Sequence, residues 1–167
     1  MAMKKTSLLL ILALGTILLS ACHFIPDDEL YNNTGSDIVI TAYTLISNGT
    51  YEELKNKPQV KINQIKIQLG THTYNYEIER TFTLKTVQST TIGVPYKIKI
   101  QRGNQIYCYD IKWIPYGFYK SMKGSWRIAR LQIQQDGLIY LLSPETSGIV
   151  TNFPPQPPDF PLHPKSE

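Results

Sequence analysis

Between Thr73 and Leu84 the chain alternates residue character without a break in parity. Tyr74, Tyr76, Ile78, Arg80, Phe82 and Leu84 occupy one set of positions, and Thr73, Asn75, Glu77, Glu79, Thr81 and Thr83 the other. Successive side chains of a strand point to opposite faces, so this pattern buries one face and wets the other; a helix would scatter both sets around its circumference. A half-buried strand of this length belongs to an antiparallel sheet. Arg80 is the exception on the apolar face, and is expected to lie near a sheet edge or to meet a carboxylate.

The same period of two runs through most of the chain. Ile38, Ile40 and Ala42 alternate with Val39, Thr41 and Tyr43 in a β-branched run that is apolar on both sides. Val60 and Ile62 share one parity while Ile65, Ile67 and Leu69 share the other, and a one-residue slip of this kind predicts a β-bulge near Asn63 and Gln64. Tyr96, Ile98 and Ile100 lead through Arg102-Gly103-Asn104 to a returning strand over Ile106 to Ile114. Trp126 to Gln134 and Leu138 to Leu142 flank Gln135-Asp136-Gly137. Both are hairpin signatures with their turn residues in place. Tyr51 to Lys55, ahead of Pro58, is long enough for a single helical turn.

About seven strands with regular turns and no amphipathic helix predict an all-β fold. The expected form is a single antiparallel β-sandwich, immunoglobulin-like or transthyretin-like, with a small β-barrel as the alternative. Phe153 to Pro164 holds six prolines in twelve residues, favouring polyproline II as a mobile tail or an extended strap. If it docks, the expected partner is an aromatic cluster around Trp113 and Trp126.

The amino end is of another kind. Lys4 and Lys5 precede an apolar run from Leu8 to Leu19, twelve positions long, short of the ~18 to 20 residues that span a bilayer. Small residues follow, which is the form of a secretory signal peptide. Leu19-Ser20-Ala21-Cys22 resembles the bacterial lipobox, in which an aliphatic and two small residues precede a Cys. The resemblance covers the leader alone. It implies removal of residues 1–21, acylation of Cys22 and anchoring in a lipid bilayer. His23 stands where an Asp would imply inner-membrane retention, so in a cell with two membranes the resemblance implies the outer membrane, periplasmic or surface-facing. The implied organisation is 1–21 as signal peptide, 22–35 as lipidated Cys and tether, 36–150 as the β-domain, and 151–167 as the Pro-rich tail. His23 to Leu30, with Asp27, Asp28 and Glu29, is expected to be a solvated linker.

Without residues 1–21 the chain keeps 146 residues, one ordinary domain. Its side chains then count 15 basic against 13 acidic, a balance that argues against nucleic-acid binding. If Cys22 carries lipid, Cys108 has no disulfide partner and is expected to be buried among Ile106, Tyr107 and Tyr109. A Cys22–Cys108 disulfide is the alternative if it does not.

Catalytic signatures are sparse. His23, His72 and His163 lack the spacing of a metal site, no Gly-x-Ser-x-Gly elbow or phosphate-cradling loop is present, and no cofactor is expected. Glu77 and Glu79 share a strand face in the manner of a glycosidase pair, though Asn75 and Thr81 beside them are ordinary solvated residues. The strongest binding candidate runs from Lys112 to Arg130: Trp113, Tyr116, Phe118, Tyr119 and Trp126 interleave with Lys112, Lys120, Lys123, Arg127 and Arg130, with no acidic residue between. Aromatic surfaces among cations suit an envelope protein or an anionic cell-wall polymer. The expectation is a non-enzymatic envelope lipoprotein acting as a binding or assembly module, with a cell-wall-acting enzyme, or an inhibitor of one, as the alternative.

Overall fold

The computed structural model describes residues 25–56, 61–69, 71–122 and 126–165. Its elements are β1 (Ile25–Asn33), β2 (Ile38–Ile46), α1 (Asn48–Leu54), β3 (Lys61–Leu69), β4 (His72–Leu84), β5 (Ser89–Gly93), β6 (Lys97–Arg102), β7 (Gln105–Asp110), β8 (Tyr119–Ser121), β9 (Trp126–Gln134) and β10 (Ile139–Leu141). The fold is all-β. One five-stranded sheet has the order β10-β9-β1-β5, with β8 also paired to β9, and the other the order β3-β4-β2-β6-β7.

One cluster of buried side chains draws on both sheets. Leu30, Ile92, Leu131, Ile133 and Leu141 come from the first, and Ile38, Ile40, Leu84, Ile98, Ile100 and Tyr109 from the second. The alternation in β4 works as the sequence implies at Ile78 and Leu84, which are buried. Arg80 is exposed although β4 lies inside its sheet. The register of β3 against β4 shifts between Gln64 and Ile67, just beyond the position expected for the bulge. Both hairpins form, with Gly103 and Gly137 at positive φ in their turns. The helical turn α1 is capped by the Ser47 side chain, which accepts from the Thr50 amide. Its Tyr51 ring stacks on Tyr76 of β4 at 3.9 Å between centroids.

The segment expected to be a tether is the largest departure. Residues 25–33 form β1, an inner strand paired antiparallel with β5 and parallel with β9 over nine positions. The described strands therefore number ten rather than about seven, and one ladder is parallel rather than every pair antiparallel. The acidic look of the segment misleads because its inward positions are Asp28, Leu30 and Asn32, all 1% exposed or less. Only Leu30 among them is apolar, and alternation is invisible.

Asn32 shows how the fold accommodates a buried polar group. Its amide donates to the carbonyls of Ser36 and Leu84 at 2.8 and 3.0 Å. Its side-chain oxygen accepts from the amide and hydroxyl of Thr34 at 3.0 and 2.8 Å. Truncation would strand these partners in the interior, where an unsatisfied group costs ~1 to 3 kcal/mol. Asn32→Ala is expected to lower the unfolding free energy by about 2 to 4 kcal/mol in urea titrations; a loss below about 1 kcal/mol would contradict this account.

The Pro-rich segment lies against the domain. Leu162 and Ile139 exchange backbone hydrogen bonds at 2.8 and 3.1 Å along the outer edge of β10. The Lys165 amide donates to the Cys108 carbonyl on β7, so the strap runs from an edge of one sheet to an edge of the other. Phe160 and Leu162 join the core. Phe153 stacks on Tyr140 at 4.1 Å, not on Trp113, which is 79% exposed. Cys108 is half-buried rather than buried.

Candidate functional site

The site begins with what stands beside Asp28. On β1 it faces the same side as Leu30, toward the core. Its cross-strand neighbours are Gly93 on β5 and Ala129 on β9, and Ala129 is in turn opposite Tyr119 on β8. Side chains directly opposite share a face, so the carboxyl sits between a residue with no side chain and one with a single methyl. Asp28 and Tyr119 from this row also line a cleft of about 320 Å³. Leu69, Tyr74, Tyr96, Ile111, Trp113 and Tyr119 contribute walls, with exposed Lys112 also among the lining residues.

Asp28 is 1% exposed, and its Oδ1 has no hydrogen-bond partner. Burial, with a smaller contribution from the neighbouring Asp27 charge, pushes its carboxyl up to about 8. At neutral pH the Asp28 carboxyl is therefore largely protonated. Asp27 is itself raised, first by burial, against hydrogen bonds from the Asp28 and Gly93 backbone and the charge of Arg80. It is not among the residues lining the cleft, as expected for the next position on a strand. Burial, and then the charge of Asp28, push the Tyr119 hydroxyl up to about 12.

The residues expected to bind a partner are only partly brought together. Trp113 and Tyr119 meet at the cleft. Tyr116, 63% exposed, lies in a 3-10 turn with the Arg127 guanidinium 3.7 Å from its ring centroid. Phe118 packs against the core rather than offering a surface. Lys120 pairs with Glu145 at 3.1 Å. Lys123 lies outside the described residues, and of Trp126 only its strand position, opposite Ile25, is described.

The basic run is not a uniform track. Arg130 holds Glu29 at 3.0 Å and also donates to the carbonyls of Pro144 and Thr146, bracing that loop against β1. Burial would raise the Glu29 carboxyl, but hydrogen bonds from Ser89 and Arg130 outweigh it and hold it below the usual range. Glu77 and Glu79 are likewise engaged. Glu77 accepts from Tyr96 at 2.6 Å and from Asn63 at 3.2 Å, and Glu79 accepts from Lys61 at 2.6 Å. Among the described residues no cluster of three or more potential metal ligands occurs, and no helix is long and apolar enough to cross a membrane.

Sequence reasoning missed Asp28 because it was counted with Asp27 and Glu29 as linker charge. The available signal was its shared parity with Leu30, two residues on. The flanking Gly93 and Ala129 become meaningful only once pairing is known. The sequence matches no protein-family model, and neither curated proteins nor solved structures show a significant similarity to it.

Proposed function

We propose that this chain is an envelope lipoprotein anchored through acylated Cys22, whose two sheets form a sandwich-like, non-enzymatic binding module. The observation that carries the binding reading is the cleft: an aromatic-walled hollow that has the buried Asp28, with no partner on Oδ1, among its lining residues. Buried polar groups are normally satisfied within a fold, and an unsatisfied one in a concave apolar site is where a ligand completes the bonding. Glycosidase chemistry would ask for two carboxyl groups flanking the bond to be cleaved. Asp28 is the one carboxyl among the lining residues, which favours binding over catalysis.

On this reading the anchor and the cleft lie close together. β1 begins three residues after Cys22, a reach of at most ~11 Å, and Asp28 is near that same end of the strand. On this reading the cleft is presented close to the lipid surface. Exposed Leu69, Val94 and Trp113 line it, and exposed Tyr116 and Met122 follow Trp113 in sequence. Trp and Tyr suit a membrane interface or a partner held there.

Two measurements test this. Cys22→Ser is expected to abolish lipid labelling of the chain and release it from sedimented membranes; a variant that still sediments with lipid label would overturn the anchor. A photo-crosslinking amino acid in place of Trp113, activated in intact envelopes, is expected to capture a discrete partner. The Lys120→Glu/Lys123→Glu chain serves as a control for nonspecific charge. No adduct at Trp113, with adducts appearing at exposed positions elsewhere, would overturn the cleft as the working surface.

A further inference from the structure

We infer that the cleft binds a protonated primary amine, with the Asp28 carboxylate as its counter-ion and the surrounding aromatic rings as its walls. This rests on the cleft being the working surface proposed above, and adds the chemistry of what enters it.

Several buried polar side chains are satisfied from within, while Ser36 Oγ and Gln134 Nε2 share with Asp28 Oδ1 the lack of a partner. Asn32 makes four hydrogen bonds. Gln132 donates to the Val150 carbonyl at 2.7 Å and accepts from its amide at 2.9 Å. Glu77 accepts from Tyr96 and Asn63. Of the three without a partner, Asp28 is the one that can ionise and that lines the cleft, and the charge acting on it is another carboxylate rather than a Lys or Arg. A buried carboxyl of this kind gains most from an opposite charge delivered into the same low-dielectric site. Tyr74, Tyr96, Trp113 and Tyr119 line the cleft, and the faces of such rings attract cations. A primary ammonium, a compact donor of three hydrogen bonds, suits a carboxyl lining a small cleft. At about 320 Å³ the space lies at the small end of the ligand-site range. Lys112 among the lining residues disfavours a second positive charge and suits a ligand whose far end is neutral or anionic. Two sources carry that chemistry: a free small amine, or the ethanolamine headgroup of a phospholipid in the adjacent bilayer.

Binding of this kind is linked to protons, because the ammonium needs the carboxylate and Asp28 without an added cation keeps its proton to higher pH than an ordinary carboxyl. Tyr119 from β8, with Tyr74, Tyr96 and Lys112, lines the cleft alongside Asp28, β5 and β9 pair only Gly93 and Ala129 with it, and the charge of Asp27 acts on it from the next position of its own strand. Tyr96 and Tyr119 are both pushed above their ordinary range, first by burial. Asp27 is also raised, so a change between pH 6 and 8 reads Asp28 where Asp28→Asn abolishes it.

The test uses the full chain carrying Cys22→Ser, titrated by calorimetry with 2-phenylethylamine and with its uncharged isostere 2-phenylethanol. A parallel flotation arm uses vesicles of phosphatidylethanolamine or of phosphatidylglycerol. The amine is expected to bind and the alcohol not, with affinity rising about tenfold from pH 6 to 7, still rising to pH 8 and levelling above it. Asp28→Asn is expected to weaken the amine by roughly tenfold or more. Selective flotation with phosphatidylethanolamine assigns the headgroup as source, and amine binding without flotation assigns a soluble amine. Equal binding of alcohol and amine, a flat pH profile in the unsubstituted cleft, or no binding in any arm overturns the inference. The flat profile needs no cleft variant to fold. Each of these failures leaves the Trp113 crosslink, which does not depend on ligand charge, to decide separately whether the cleft is a working surface.

Discussion

Ending the chain after Asn152 is expected to lower the unfolding free energy by about 3 to 6 kcal/mol and the melting temperature by roughly 10 °C or more. The lost residues include Phe160 and Leu162, buried in the common core at 8% and 5% exposure, each stabilising by ~1.5 to 3 kcal/mol. With them go the backbone pair between Leu162 and Ile139, the Lys165 bond to Cys108, and Gln156, whose side chain bonds both the amide and the carbonyl of Leu141. The ordering entropy of about thirteen residues opposes these gains, though six prolines reduce it. The truncated domain would also expose the outer edge of β10, and an unpaired edge invites association between copies. Calorimetry with a parallel measurement of oligomeric state checks both effects. An unchanged melting temperature would mean the strap contributes nothing to the core. The double variant Phe160→Ala/Leu162→Ala, which keeps the chain length, separates lost packing from lost strap and is expected to account for at least half of the effect.

That result would also fix where the strap acts. Proline spacing marks an extended segment but carries no address, and the aromatic cluster around Trp113 and Trp126 is the natural guess from sequence. The structure places Phe153 on Tyr140 and Phe160 in the core instead. The discriminating residues are Gln132 and Gln156, whose side chains bond backbone at Val150 and Leu141. Their role depends on which strands are neighbours, which no local pattern reveals.

The contrast between β4 and β1 explains how much of the fold could be read in advance. β4 presents one apolar face to a core and one polar face outward, so its period is written in the residues. The hairpins β6–β7 and β9–β10 are legible for the same reason, and because Gly103 and Gly137 supply the positive φ their turns need. β1 is polar on its inward face at Asp28 and Asn32, and it takes its place by pairing, including nine parallel positions with a strand about a hundred residues away. Binary pattern reads burial through hydrophobicity; it fails where a buried position is polar by design. The candidate site lies where that happens. Trp113 and Tyr119 of its lining are visible as part of an aromatic run, while the place of Asp28 beside them requires its pairing with Gly93 and Ala129 to be known.

Asp28→Asn is expected to stabilise the protein near neutral pH while weakening what the cleft can hold. For a carboxyl whose folded value is raised, the native state keeps its proton while the unfolded chain has lost it. Stability from this group is therefore complete below the ordinary carboxylate range, and falls as pH rises toward the folded value of about 8. The slope is about 1.4 kcal/mol per pH unit in that window, an accumulated loss on the order of 4 kcal/mol by pH 7. Asn resembles the protonated acid in shape but does not titrate, so the two chains should match near pH 4 and diverge with rising pH, the variant leading by about 2 to 4 kcal/mol at pH 7 to 8. Asp27 has the same sign as Asp28 and remains in the variant; Glu29, held low chiefly against burial by Ser89 and Arg130, has the opposite sign and loses its contribution as pH falls. Chemical denaturation from pH 4 to 8 measures the divergence, and parallel profiles for the two chains would mean Asp28 titrates normally. The same experiment with saturating amine adds a second condition. A bound cation stabilises the carboxylate in the native state only, so the falling slope of the unsubstituted chain should flatten while that of Asp28→Asn stays as it was. A fold under selection for stability alone would have no use for Asp between Gly and Ala at an inner strand, and ligand-dependent recovery of that stability is the signature of a residue kept for binding.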